Sequence, residues 1–179
     1  RLIPFSLLRQ GNLDLDEFTW LTRDDSVPYF LRRSGNGHLV SRYPVATPLL
    51  AAPLAAPFAW WLARNQIDDD DVRFRLATVV FERFAAAAMV AVSVALVLLA
   101  LWRLTTPALA IGIALVYGLG SSTWAISSQA LWQHGPAELS LAGLSLALVA
   151  PATRRNAVVA GAFAALGVAA RPTMALFAV

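Results

Sequence analysis

Cysteine and lysine are both absent from the 179 residues, and after residue 83 only one acidic residue, Glu138, remains. Without cysteine the chain carries no marker of a redox compartment. It also holds no P-loop, no G-x-S-x-G elbow, no histidine-rich metal signature and no internal repeat. Gly118-Leu119-Gly120 is only a fragment of a dinucleotide fingerprint, set in an apolar stretch. These absences disfavour soluble-enzyme chemistry. Charge is scarce as well: 14% of residues are charged against 58% hydrophobic, so a soluble fold would have too little polar surface to cover itself.

All fourteen basic residues are arginine. A sequence pI near 10.2 taken alone points to nucleic acid. The distribution excludes that partner, because nine arginines between Arg1 and Arg75 alternate with eight aspartates and Glu17 and leave no patch of one sign. Arginine-only, alanine-rich usage is associated with GC-rich bacterial genomes, which makes a bacterial plasma (inner) membrane the expected location.

What is abundant is apolar sequence of membrane-spanning length. Residues 84–102 are apolar except for Ser93, and about 20 such residues cross a hydrocarbon core. Residues 107–126 form a second expected span, with Pro107 suited to a first helical position. Spans over 135–151 and 156–178 are expected to follow, the last carrying Arg171 and Pro172. The expected fold is therefore all-α, a polytopic transmembrane bundle with an N-terminal extracytoplasmic loop, residues 1–83. Arg1 is not preceded by Met and Val179 lies inside an apolar run, so both ends are expected to be truncated.

Arginine near span ends stays on the cytoplasmic side. Arg103 lies between the first two spans and Arg154 and Arg155 between the last two, which places those turns in the cytoplasm and the turn around 129–135, with everything before residue 84, outside. Residues 47–63 are apolar but carry Pro48, Pro53 and Pro57, each of which removes a backbone donor and disfavours helix before it. They are expected to lie at the interface or re-enter it, with Trp60 and Trp61 at headgroup depth, and a true span is the runner-up.

The polar segment 1–46 holds the chemistry. Gly11 and Asn12 make a turn ahead of Asp14, Asp16 and Glu17, and in an extended backbone Asp14 and Asp16 point to one side. Two such carboxylates suit a divalent metal with a phosphate ligand, or a base raised by its neighbour. A solvated acidic turn is the plainer reading. A Gly-rich turn at 35–37 then leads to His38, Arg42 and Tyr43, where an arginine can clamp a lipid phosphate or merely anchor the chain to headgroups. In the second outer turn Trp124 and Trp132 form an aromatic belt, and Pro136 opens the next span. Gln129, His134 and Glu138 remain, with His134 and Glu138 four apart, too few ligands for zinc. Arg171, inside an apolar stretch, needs protein, water or a phosphate to face. The aspartates 68–71 favour the N-terminus of a helix running into the first span.

The strings LLRQGNLDLDEF, GHLVSRYPVATPLLAAP, FERFAAAA and WAISSQALWQHGPAEL, in that order, resemble the GT-C superfamily of integral membrane glycosyltransferases, near the protein mannosyltransferase and aminoarabinose transferase relatives. The resemblance covers nearly the whole chain. It implies transfer of a sugar from a polyprenyl-phosphate-linked donor to an acceptor on the extracytoplasmic face, with the bilayer and that donor as partners. It further implies catalytic acids at Asp14, Asp16 and Glu17 and phosphate contacts at Arg42 and Arg171; Tyr43 and His134 complete the candidate substrate-binding set. The superfamily's usual first helix and the acid that follows it would lie before Arg1. A divalent metal is the one cofactor candidate. A transporter or flippase lined by Arg171, and a scaffold without chemistry, are the competing readings.

Overall fold

The computed structural model describes residues 1–22 and 26–177 and is mostly helical. The chain divides into two compact units, 1–85 and 86–179, with the division inside one long helix.

In the first unit, helix α1 (Ile3–Gln10) has Pro4 in its first turn and ends at Gly11, whose φ of +74° lets its N–H reach the carbonyls of Leu7 and Ser6. That turn releases the chain into the extended segment bearing Asp14. A short hairpin follows, β1 (Leu31–Arg33) antiparallel to β2 (Leu39–Ser41), with Arg32 opposite Val40. The Gly-rich stretch closes it: the Ser34 N–H donates to the His38 carbonyl, and Gly37 sits at φ +87°. This hairpin is a departure from an all-α expectation, made because a chain reversing over 34–38 can satisfy its backbone only by pairing with itself.

Helix α2 (Ala46–Arg64) runs without a break where the prolines predict one. Pro48 falls in the first turn, where a missing N–H costs nothing. Pro53 and Pro57 are four apart, so both lost bonds stack on one exposed face. The opposite face, lined by Ala51, Ala55, Ala59 and Leu62, remains regular and buried, and α1 packs against α2. Asn65 caps the end by donating from Nδ2 to the Trp61 carbonyl at 2.7 Å.

Asp71 then opens α3 (Val72–Trp102), accepting from the Arg73 N–H at 2.7 Å, as the aspartate run predicts. An aromatic core ties these pieces together. Phe74 meets Phe5 edge-on at 5.6 Å and stacks on Phe18 at 5.5 Å, and Phe81 meets Phe5 at 5.1 Å and Phe58 at 5.6 Å. Phe5, Phe74 and Phe81 are fully buried.

In the second unit, α4 (Pro107–Leu119) starts at Pro107 as expected but is 13 residues long, about 20 Å at 1.5 Å per residue, shorter than the span read over 107–126. Gly118, Gly120 and two serines end it, since glycine and serine are poor helix formers. A π-helical turn, Thr123–Ser127, leads toward α5 (His134–Leu148), and α6 (Arg154–Ala170) returns along it. Gly143 faces the Phe163 ring and Gly167 lies near Ser140, so small residues let the two backbones approach closely. Beyond α6 a tight turn, Pro172–Phe177, takes the place of the helix end expected as far as 178, a residue outside those described.

Among the described residues two helices, α2 and α3, are long and apolar enough to cross a membrane; α4, α5 and α6, with 13, 15 and 17 residues, fall short of the about 20 that span a hydrocarbon core. Only a third of the most apolar window in α2 and in α3 is buried within the protein. A soluble core helix is covered on most sides, so these exposed apolar faces fit association with a membrane.

Candidate functional site

The segment after α1 is knitted to the hairpin by backbone bonds. The Leu15 N–H donates to the Leu39 carbonyl at 2.8 Å, and Leu15 and Leu39 are both buried beneath the surface. Their neighbours therefore emerge together: Asp14 and Asp16 from either side of Leu15, His38 from the residue just before β2. One donor atom from each of Asp14, Asp16 and His38 lies within 4.8 Å of the other two.

Within this cluster Asp16 is fully engaged. Its Oδ2 meets Nδ1 of His38 at 2.6 Å, and its Oδ1 accepts from the Leu39 N–H at 2.6 Å. These bonds, the Leu39 N–H first, hold the Asp16 carboxyl below the usual carboxylate range. The same carboxylate raises the His38 imidazole above its ordinary value. Asp14 accepts from Asn12 Nδ2 at 3.2 Å, and Ser6 donates to the Asp14 carbonyl at 2.7 Å, which fixes the backbone there. The three residues are a plausible donor set for a divalent cation by type, but the fit is poor as arranged. Nδ1 of His38 and both oxygens of Asp16 are already bonded within the protein, and a cation would have to break the Asp16–His38 bond to use them.

Glu17 stands apart. One of its carboxyl oxygens is buried with no hydrogen-bond partner among the described residues. Burial, reinforced by Asp14 and Asp69, raises its carboxyl above the usual range. Asp69 is paired with Arg9, yet burial still pushes its carboxyl up.

Arg42 and Tyr43, expected to face substrate, belong to the hairpin's end. Arg42 Nε donates to the Leu31 carbonyl at 2.9 Å, and Tyr43 is half exposed, its N–H donating to Ser41 Oγ at 3.1 Å. Arg42 thus braces β1 with one nitrogen and keeps its remaining donors outward.

In the second unit His134 and Arg171 come together. Arg171 follows the last residue of α6, at the opposite end of that helix from Arg154, and its Nη1 lies 3.3 Å from His134 Nδ1 in the first turn of α5. Glu138, one turn along from His134, accepts instead from Ser127 of the π-helical turn at 2.7 Å. Ser93 and Tyr117 bond to each other at 2.7 Å, which satisfies the one polar residue of the 84–102 stretch. Sequence reasoning left out His38 from the acidic cluster and the Ser127–Glu138 pair. The first carries a signal in its place directly after a Gly-rich turn; the second carries none, since nothing local relates residues eleven apart.

No family model, curated protein or solved structure matches the chain.

Proposed function

We propose that the chain is part of a polytopic membrane glycosyltransferase of the GT-C type, with residues 1–83 on the extracytoplasmic side of a bacterial plasma membrane. In this reading it transfers a sugar from a polyprenyl-phosphate carrier to an acceptor hydroxyl. The observation that carries it is the convergence of Asp14 and Asp16 with His38 near the surface of the first unit, which also holds α2, one of the two helices of membrane-crossing length, and the start of α3, the other. Such a cluster can take the proton of an attacking hydroxyl beside the bilayer, where a lipid-linked donor presents its sugar. Arg42 supplies guanidinium donors from the same unit for the phosphate that leaves. A single displacement at the sugar carbon inverts its configuration. The His134–Arg171 pair, in the second unit, is a second cationic group suited to a phosphate.

The test is sugar transfer from a polyprenyl-phosphate donor by the full-length protein carrying Asp14→Asn and Asp16→Asn. A loss of at least 100-fold in kcat is expected for the pair, because the cluster then loses the negative charge that supports its general-base catalysis, itself worth typically about 10² to 10⁴. Unchanged transfer rejects the assignment. The sidedness is checked by single cysteines at Ser34, Thr105 and Gln133: an impermeant thiol reagent applied outside should label the first and third and spare the second.

A further inference from the structure

We infer that His38 is the proton acceptor of this site and that Asp16 is its positioning residue, an assignment that rests on the transferase reading above.

Each carboxylate of the segment is poorly placed for the role. Asp16 has both oxygens occupied, at 2.6 Å each, by Leu39 N–H and His38 Nδ1. Glu17 has an oxygen shut away from solvent. Asp14 accepts from Asn12 and, more distantly, from the Asp16 N–H at 3.5 Å, so it serves the turn. His38 is different. Its Nδ1 is directed at a carboxylate that cannot donate when ionised, so that nitrogen carries the proton and the lone pair sits on Nε2. Among the described residues Nε2 has no partner, and the side chain is 55% exposed, enough for an acceptor hydroxyl to reach it.

The ring is also held. The Leu39 N–H fixes Asp16 from the residue next to His38, and the Leu15 N–H to Leu39 carbonyl bond fixes the loop that carries Asp16. Carboxylate and imidazole therefore share one rigid backbone frame, the arrangement in which a third group orients a base. The charged groups facing the imidazole are Asp14 and Asp16 from the loop, and Arg33 of β1 lies close enough to act on Asp16. Two carboxylates against one guanidinium favour the imidazolium that forms when the proton arrives.

The step balances. Nε2 takes the proton of the acceptor hydroxyl, whose oxygen forms a bond to the anomeric carbon of the sugar. The bond from that carbon to the phosphate oxygen breaks, and both its electrons leave with the polyprenyl phosphate. Asp16 remains ionised and stabilises the imidazolium.

Two measurements on the full-length protein in lipid nanodiscs separate this inference from the reading beneath it. Nitrogen-15 NMR of labelled histidine, assigned by H38Q, should show His38 protonated on Nδ1 when neutral, and D16N should shift its titration to lower pH. An identical titration in wild type and D16N means that the dyad is absent and overturns the inference whatever the activity. In sugar transfer, H38Q should lower kcat by at least 100-fold with KM nearly constant and abolish the acidic limb of the pH profile, while D16N should move that limb to lower pH. If H38Q keeps the wild-type rate and limb, the inference fails and the transferase stands. If wild type transfers no sugar from any polyprenyl-phosphate donor, the transferase reading and the proton-acceptor role fall together.

Discussion

Phe74 is where three parts of the first unit meet, and its truncation is the sharpest test of how the acidic segment is held. The ring is fully buried, edge-on to Phe5 of α1, stacked on Phe18 at 26° between planes, and covered by the Arg9 guanidinium at 5.6 Å. An aromatic side chain buries roughly 150–250 Å². At about 25 cal/mol per Å² that is about 4–6 kcal/mol, and measured Phe→Ala losses of about 3–5 kcal/mol agree, the alanine retaining part of the contact. The figure takes water as the medium that the ring meets on unfolding. Phe74→Ala is therefore expected to lower stability by about 3–5 kcal/mol, and Phe74→Leu by well under half of that, since most of the volume is kept. Unfolding in urea and mild detergent, followed by near-ultraviolet circular dichroism, gives the loss. Hydrogen exchange over residues 12–22 reports whether the segment opens, because Phe18 sits on Phe74 and its N–H donates to the Leu15 carbonyl at 3.2 Å. A loss below about 1 kcal/mol, or unaltered exchange over that segment, refutes this account of how the site is anchored.

Three further outcomes follow from the same geometry. A methyl group at Gly143 would lie inside the van der Waals envelope of the Phe163 ring, so Gly143→Ala should destabilise the α5–α6 pair by about 1–3 kcal/mol, and Phe163→Ala in the same chain should recover part of it. Thermal unfolding of the single and double variants checks this; additive losses refute it. The charge–charge part of the Asp16–His38 contact stabilises the fold only while Asp16 is ionised and His38 protonated, although the Nδ1–H bond itself persists when the imidazole is neutral. Asp16 is lowered and His38 raised, so the contribution is full between about pH 4 and about pH 6.5. Below that window it is lost as the pH falls through the folded Asp16 value, and above it as the pH rises through the folded His38 value. The difference in Tm between wild type and H38Q should peak inside the window and shrink on both sides; a flat difference counts against the pair. Glu17 is raised, so it favours the fold fully below about pH 4.3 and loses that benefit as the pH climbs through its folded value. Glu17→Gln should then raise Tm at pH 7 and give no gain at pH 4, and a lower Tm at pH 7 would show that the buried oxygen has a partner when ionised.

Much of the helical framework was legible because apolar composition and length act locally. The 84–102 stretch reads as helix from its residues alone, Pro107 marks a start through its missing N–H, and the aspartates before Val72 cap the helix they precede. Proline misled over 47–63: its local cost is real, but four-residue spacing places both losses on one face, and burial of the alanine face against α1 decides for a continuous helix. For the site, Asp14 and Asp16 do come together, but through a turn at 16–17 in place of the alternation of an extended backbone. Alternation says nothing of what they face. His38 arrives there only because the hairpin folds back and Leu15 bonds to Leu39, a pairing 24 residues apart that no local pattern encodes. His134 and Arg171 meet for the same reason, through the antiparallel return of α6 along α5. That the chain is helical, largely apolar and polar at its N-terminal end follows from composition and short-range periodicity. Which carboxylate is occupied, which is buried, and which histidine keeps a second nitrogen without a partner among the described residues depend on backbone bonds between segments distant in the chain, and no local pattern encodes them.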